Sequence, residues 1–512
     1  MRARECRFAG ASFLCLGSIV GIAVTLLKLP FLFTTLGEQD HGRLIMDAVV
    51  YVHDGPATLR KYGIFTSPLW TLSFASLAVM FDVSQLILLS NVGGWLCGGL
   101  NTALAFMLLR HLGVSPIWAA SGALATAVIP GTFYLSLYGY PSQYALTLLL
   151  ASAFAFAKSL KTEGRNRWAW FAVAGIAYCG LALVKIDFAL SGTFLLSVAI
   201  IMGQLVDRRT YLLPAFAVVA AGAAYTVSRV AIRGEDLVEF LKRFGHSYPW
   251  QTGAWIDASS VTVIYACGFG TAVLWVAALI AGVVMRAERA RTIRAGVAWA
   301  IGVLPLWAFW LAHPPMSNRH AVPGALLTAL FAVLVASRVL RSVPYAGLVW
   351  LFALVTINWQ FGEPNFDFNY RPSGNLARTL SVNRRAFTVA EQIARKVIER
   401  REPIKVVLGP RPMNIPKKIL GGIDILPSIE VAMASRARTV NTVTGWVLVF
   451  TAADGYRTTL IPYMNPMRAS KNGFSRAGYY SPWAANLRPL TARGLQIVSF
   501  DPDEMFDQLE RP

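Results

Sequence analysis

Charged residues are scarce in this sequence and make up only 14% of its 512 residues. An ordinary soluble domain carries roughly 25% charged residues, so a soluble protein of this composition would have too little charge to cover its surface. Hydrophobic residues instead make up 55% of the chain, and the mean hydropathy is +0.50. The shortage of charge excludes a disordered chain and a typical water-soluble enzyme, and it favours a polytopic membrane protein.

Cysteine is also rare, with five residues and no C-x-x-C spacing. The sequence therefore gives no support for a disulfide framework or a thiolate metal site. No cofactor is indicated with certainty. A divalent cation held by carboxylates remains open, because oxygen-ligand sites need no cysteine.

Acidic residues are scarcer than basic residues. The chain has 27 Asp and Glu against 47 Lys and Arg, a net charge of +20 and a pI near 10.0. In a soluble protein this excess would suggest nucleic acid. In a membrane protein it is expected, because Lys and Arg accumulate in cytoplasmic loops. We therefore expect membrane lipids, and no nucleic acid, as partners of the basic residues.

The charge is unevenly distributed along the chain. Residues 362–512 hold 34 of the 74 charged residues, about 23% of those positions, whereas residues 1–361 are only about 11% charged. We therefore predict two domains. Residues 1–361 form an all-α polytopic transmembrane module, and residues 362–512 form a soluble mixed α/β domain.

The first domain contains eleven apolar runs of the length that membrane-spanning helices require, about 20 residues. The first run is too long for the core of a signal peptide, which has about 7–15 residues. The predicted spans are 8–33, 84–109, 114–134, 141–157, 168–184, 187–206, 210–230, 260–285, 295–312, 321–337 and 344–361.

The segment Pro68–Phe81 is apolar but short, which is typical of a re-entrant or interfacial segment. With this segment excluded as a span, the predicted inner loops carry 16 Lys and Arg and the short outer loops carry 8. The positive-inside rule therefore favours eleven spans. We expect a multi-pass protein of a bacterial inner membrane, with a cytoplasmic N-terminus and a periplasmic C-terminal domain.

The first outer loop, residues 37–83, carries a dense group of chemically active side chains. Its candidates for catalysis or binding are Glu38, Asp40, His41, Asp47, His53, Asp54, Arg60 and Lys61. A carboxylate fixed at the membrane surface can act as a general base on a hydroxyl group or help to hold a cation. We therefore expect the chemistry on the outer face.

The order of these features resembles the membrane glycosyltransferases of the GT-C superfamily, which include the lipid A aminoarabinose transferases and the protein O-mannosyltransferases. The matching features are the acidic pair after span one, the apolar segment from Pro68, a span ending in Arg110, Tyr138-Gly139-Tyr140-Pro141, Leu183–Asp187 and Ser317–Pro323. They cover about residues 8–340. The sequence departs from the family at His320, where tyrosine is commoner, and after Lys185, where close relatives prefer glycine.

The resemblance implies an inverting glycosyltransferase that uses a sugar on a polyprenyl phosphate. The acceptor would be a lipid, glycan or protein outside the cytoplasm. The resemblance places the role of catalytic base on Asp40 or Glu38. This position suits the chemistry, because the lipid of the donor keeps its head group at the membrane surface.

The phosphodiester of such a donor requires cations. Four basic residues on the predicted outer side are candidates to bind it: Arg319, Lys185, Arg60 and Lys61. Arginine suits bidentate contact with phosphate. The histidines His41, His53 and His320, together with Asp47 and Asp54, are candidates for acceptor binding or for supporting contacts.

Three polar residues within the predicted spans have structural interpretations. Lys28, near the outer end of span one, is predicted to extend its ammonium group to the membrane interface. Asn91 and Asn101, in the second span, are predicted to form hydrogen bonds between helices.

The C-terminal domain is predicted from local patterns. They indicate a helix over 386–401, a strand at Ile404–Leu408, a hairpin of Trp446–Thr451 and Tyr456–Tyr463 around Asp454-Gly455, and a strand at Gly494–Phe500. The domain has no Gly-rich phosphate loop and no nucleophile motif. We expect an accessory or acceptor-recruiting role.

Two other functions fit the same class of protein. An O-antigen ligase or polymerase would use a pyrophosphate-linked glycan and place its key loop late in the chain. A transporter or flippase of lipid-linked glycans would carry ionisable groups at mid-membrane, and few of the predicted spans carry any. The charged first loop favours the glycosyltransferase.

Overall fold

The computed structural model describes most of the predicted spans and parts of the C-terminal domain. The described residues are 16–29, 48, 67–81, 83–136, 139–185, 188, 191–227, 258–312, 318–343, 345–358, 405–407, 446–451, 457–462 and 496–498. The chain divides into two compact units. One contains Met1–Leu29, Gly93–Val230 and Glu235–Phe368, and the other contains Pro30–Val92, Ala231–Gly234 and Asn369–Pro512.

Each of the eleven predicted spans coincides with helical structure. In chain order the helices are α1 (Leu16–Leu29), α2 (Pro68–Ala78), α3 (Val83–His111), α4 (Pro116–Val128), α5 (Pro130–Leu135), α6 (Pro141–Lys161), α7 (Arg165–Val184), α8 (Thr193–Met202), α9 (Arg208–Tyr211), α10 (Leu213–Tyr225), α11 (Ala258–Val284), α12 (Arg289–Ala312), α13 (Asn318–Val339) and α14 (Ala346–Ile357).

Four helical segments in the described part of the chain are long and apolar enough to cross a membrane on their own. They are Leu89–His111, Pro141–Lys161, Arg165–Val184 and Ala321–Val339, and further apolar helices are shorter. The prediction of an all-α polytopic membrane module is confirmed.

Two predicted spans are interrupted. The predicted span 114–134 divides into α4 and α5, because Ile129 has an extended ψ of 130°, as the residue before a proline prefers. The predicted span 210–230 begins with the short helix α9 and resumes as α10 after Leu212, where a proline occupies the first turn. Both breaks therefore follow from prolines within apolar sequence.

Helix α2 lies within the apolar segment Pro68–Phe81, which the charge count excluded as a membrane span. It has 11 residues, which gives a length of about 16 Å at 1.5 Å per residue. The hydrocarbon core of a bilayer is about 30 Å thick. This length agrees with the interpretation of the segment as re-entrant or interfacial.

Small residues and hydroxyl groups hold the helices of the first unit together. A Cβ atom added at Gly122 would lie 2.8 Å from Leu109 Cδ1 and 2.9 Å from Val333 Cγ2, so α4 contacts α3 and α13 closely there. The Ser152 hydroxyl of α6 donates to the Ala174 carbonyl of α7 at 2.8 Å. Such contacts stabilise helix association where apolar burial alone gives little driving force.

The described strands of the C-terminal domain agree with the predicted ones. They are β1 (Lys405–Val407), β2 (Trp446–Thr451), β3 (Arg457–Pro462) and β4 (Gln496–Val498). Strands β2 and β3 pair antiparallel with Thr451 opposite Arg457, as a hairpin around Asp454-Gly455 requires. Strands β1 and β4 pair in parallel, which the sequence did not predict. The predicted helix over 386–401 lies outside the described residues.

Candidate functional site

Lys28 is a buried lysine near the end of α1 that is predicted to face outward. Its side chain is only 3% exposed, and its Nζ donates to Ser136 Oγ at 2.6 Å. The same Nζ lies 5.1 Å from the centroid of the Phe133 ring. The predicted interfacial position of this side chain is therefore wrong: the ammonium group points into the protein.

The packing of α1 against α3 determines where Lys28 lies. A Cβ at Gly21 would lie 2.7 Å from the Gly99 carbonyl oxygen, and one at Gly99 would lie 2.8 Å from the Gly21 carbonyl oxygen. Because Gly21, Thr25 and Lys28 are spaced by four and three residues, they share one face of α1. The Trp95 indole of α3 donates to the Thr25 carbonyl at 2.7 Å. The close crossing at the glycines thus directs Lys28 into the bundle.

Ser136, the partner of Lys28, follows directly after α5. Its backbone N–H donates to the Thr132 carbonyl at 3.1 Å, and its hydroxyl also donates to the Phe133 carbonyl at 2.7 Å. A Cβ at Gly98 of α3 would lie 2.8 Å from Ser136 Cβ. The glycine therefore makes room for Ser136 between α3 and the end of α5.

Further polar side chains are buried nearby without satisfied hydrogen bonds. Gln143 is 2% exposed, and its Nε2 would lie 3.6 Å from a Cβ at Gly98. Among the residues that the structure describes, Gln143 Oε1, Ser142 Oγ and both amide atoms of Asn101 find no hydrogen-bond partner. Within the part of the chain that the structure describes, the predicted interhelical hydrogen bond of Asn101 is therefore not formed. Buried polar atoms usually have partners, so this group is suited to contact a polar ligand.

Lys185 caps the C-terminus of α7 and is 7% exposed. Its Nζ lies 5.8 Å from the ring centroids of both Tyr140 and Phe188. Tyr140 lies only four residues after Ser136. The two buried lysines therefore flank the same connection between α5 and α6.

A buried ammonium group is costly unless an anion compensates it. In the described part of the chain no acidic side chain pairs with Lys28, which contacts Ser136 and Phe133 there. Ionisable residues within membrane helices usually mark substrate or ion sites. The arrangement is therefore suited to bind an anionic group such as a phosphate.

The other predicted site residues are located only in part. Helix α13 begins at Asn318, so Arg319 and His320 occupy its first turn, while their side chains are outside the described residues. The candidates of the first outer loop also lie outside the described residues: Glu38, Asp40, His41, Asp47, His53, Asp54, Arg60 and Lys61. Within the described residues no group of three His, Cys, Asp or Glu side chains is placed to hold a metal ion.

Comparisons with known proteins bear on the fold. No protein-family model and no curated protein sequence matches the chain. ArnT from Cupriavidus metallidurans, solved bound to undecaprenyl phosphate, is similar in structure, with a TM-score of 0.52 and 14% identity over 83% of this chain and 85% of that chain. Its apo structure gives a TM-score of 0.51 and 13% identity, over 85% and 86% of the two chains. The similarity confirms the fold class predicted from the sequence, and it bears on the fold alone.

Proposed function

We propose that this protein transfers a sugar from a polyprenyl-phosphate donor, of the undecaprenyl type, to an acceptor outside the cytoplasm. The observation that carries the proposal is Lys28, a buried ammonium group with no carboxylate partner among the described residues, within a GT-C fold. The similar ArnT structure holds undecaprenyl phosphate. A lipid phosphate would supply the missing negative charge in the present protein.

The basic residues are assigned to the donor phosphate. Lys28 and Lys185 flank the connection between α5 and α6 and would contact the phosphate oxygens from the side of the helix bundle. Arg319, in the first turn of α13, would approach it from a second helix. We propose that Arg60 and Lys61 of the first outer loop contribute the remaining positive charge.

The proposed reaction is a displacement with inversion. The acceptor hydroxyl oxygen attacks the anomeric carbon while Asp40 or Glu38 takes the hydroxyl proton. The bond between the anomeric carbon and the phosphate oxygen breaks, and the polyprenyl phosphate leaves with the electron pair. Negative charge grows on that phosphate during the reaction. A buried ammonium group beside it would stabilise the transition state, because electrostatic interactions are strong where water is excluded.

The experiment that tests the base compares Asp40→Asn with Glu38→Gln in purified enzyme. A general base contributes about 10²–10⁴-fold to rate, so we expect Asp40→Asn to reduce turnover by that order while donor binding survives. Glu38→Gln should have a smaller effect. The acidic limb of the pH–rate profile should vanish only in Asp40→Asn. Wild-type turnover in both variants would exclude the first outer loop as the catalytic loop.

A transfer assay distinguishes the proposed enzyme from a transporter or flippase. Radiolabelled sugar on undecaprenyl phosphate is incubated with the protein in vesicles that also hold candidate lipid or glycan acceptors. Labelled acceptor together with released undecaprenyl phosphate supports the proposal. Movement of the labelled donor across the bilayer without labelled acceptor would identify a carrier instead. Arg319→Ala should lower donor affinity roughly 10- to 100-fold, since a hydrogen bond to a charged group contributes about 1.5–3 kcal/mol.

A further inference from the structure

A second basic site lies at the end of the bundle that the charge pattern predicts to face the cytoplasm. There a partly open cavity of about 400 Å³ is lined by Ser115, Trp118, Glu288, Arg291, Arg338 and Arg341, among others. Its basic residues come from different elements: Arg338 lies in the last turn of α13, Arg341 follows α13, and Arg291 lies in the first turn of α12. The cavity is therefore assembled by the tertiary fold.

The charges around this cavity do not balance. Glu288 accepts a hydrogen bond from Arg291 Nη1 at 3.2 Å, which neutralises one arginine. In the described part of the chain, neither Arg338 nor Arg341 has a hydrogen-bond or ion-pair partner. Glu288 also attracts the Arg338 guanidinium, while the positive charges of Arg291 and Arg294 act against it. With one carboxylate against the three arginines Arg291, Arg338 and Arg341, the lining keeps an excess of two positive charges. The cavity therefore favours an anion.

The surroundings of the cavity indicate the kind of anion. Its wall includes Trp118, which is only 5% exposed and lies 6.3 Å from Trp350 between ring centroids. Residues next to the lining in sequence expose apolar side chains: Ile117 is 46% exposed, Leu340 37% and Val343 49%. An anion with acyl chains would place its charged group on the arginines and its chains on this apolar surface.

We propose that this cavity binds the phosphate of an anionic glycerophospholipid from the cytoplasmic leaflet. Arg338 and Arg341 would contact the phosphate oxygens, and the Ser115 hydroxyl would form a hydrogen bond with a head-group hydroxyl. Basic recesses between transmembrane helices on the cytoplasmic side are suited to such head groups. This site is distinct from the proposed donor site, and its test does not depend on catalysis.

The experiment uses the full-length protein in a neutral detergent. Thermal unfolding and native mass spectrometry are recorded with short-chain phosphatidylglycerol, with phosphatidylcholine of the same chain length, and with inorganic phosphate. We expect stabilisation and retained lipid with phosphatidylglycerol only. Each basic residue near an anionic lipid is worth about a fivefold change in affinity, so Arg338→Gln with Arg341→Gln should weaken binding roughly 25-fold. Arg286→Gln, an exposed arginine outside the lining, is the matched control.

Three outcomes would overturn the proposal. Wild-type affinity for phosphatidylglycerol in the double variant would remove the arginines from the site. Equal binding of inorganic phosphate and phosphatidylglycerol would assign the cavity to a soluble phosphate compound. An equal loss in Arg286→Gln would indicate unspecific surface charge. If the double variant fails to fold, the single variant Arg341→Gln, at an exposed position, should still weaken binding about fivefold.

Discussion

Replacing Lys28 by methionine should change stability and donor binding in opposite directions. The substitution keeps most of the side-chain volume and removes a buried charge that has no carboxylate partner in the described part of the chain. It forfeits one hydrogen bond, worth about 1 kcal/mol, while the Ser136 hydroxyl keeps its bond to the Phe133 carbonyl. The desolvation cost of a buried ion is several kcal/mol. Without ligand, the free energy of unfolding of the variant should therefore exceed that of the wild type by on the order of 1–3 kcal/mol.

Donor binding should favour the wild type. A contact between a charged lysine and phosphate is worth about 1.5–3 kcal/mol, so Lys28→Met should bind undecaprenyl phosphate roughly 10- to 100-fold more weakly. At a ligand concentration near 100 times the Kd, binding stabilises the wild-type protein by about 2.7 kcal/mol. The variant gains only about 0.4–1.4 kcal/mol at the same concentration, so the donor should narrow the gap in melting temperature between the two proteins or close it.

The assay is thermal unfolding in detergent, with and without undecaprenyl phosphate, combined with a direct binding titration. Lys158→Met is the matched control. Lys158 lies in the last turn of α6, at the end away from the connection between α5 and α6, and its Nζ is 3.9 Å from the Trp170 ring centroid. Its donor affinity should equal that of the wild type. Unchanged donor affinity in Lys28→Met would refute the assignment of Lys28 to the phosphate.

Three further predictions concern topology, loop stability and helix crossing. A periplasm-active reporter fused after Pro512 should be active and one at Arg165 silent; the reverse would overturn the eleven-span topology. The Asp207 carboxylate accepts from the Arg209 backbone N–H at 2.8 Å and pairs with its guanidinium, which lowers the pKa of Asp207. Asp207→Ala should lower the free energy of unfolding by about 1 kcal/mol through loss of this N-cap, and Asp207→Asn should lower it by less. Thermal unfolding at neutral pH measures both effects. Because the pKa is lowered, the charge contributes at neutral pH, and that contribution is lost only as the pH falls below the ordinary aspartate range. Gly99→Ala should reduce both stability and donor affinity, because its Cβ would overlap Thr25 Oγ1; Gly222→Ala, with open space around it, should reduce neither.

The positions of the helices and of the β2–β3 hairpin could be predicted because their signals are local. A run of apolar residues marks a span wherever it lies, and Asp454-Gly455 between two apolar runs marks a turn. The interruption before Pro130 has an equally local cause. Hydropathy does not show it, because the apolar run continues through the proline and indicates one span where the backbone forms two helices.

The burial of Lys28 and the parallel pairing of β1 with β4 could not be predicted in the same way. Both depend on contacts between segments that are distant in sequence: Gly21 with Gly99, and Val406 with Ile497. A lysine near a helix end extends to the interface unless a neighbouring helix covers it. The sequence does not state which helix lies beside α1. Nor does it state which side chains face Asn101 of α3, whose amide has no hydrogen-bond partner among the described residues.

The glycine crossing gives the first helix a role beyond membrane insertion. A generic leader or an unrelated anchor in place of α1 could deliver the rest of the chain to the membrane. It would carry neither the glycine, Gly21, that contacts α3 nor the lysine about two turns beyond it. Expression designs that exchange the N-terminal segment for a fusion partner would therefore yield an inserted protein without one wall of its proposed donor site. In the proposed function, the first predicted span is therefore also a wall of the donor site.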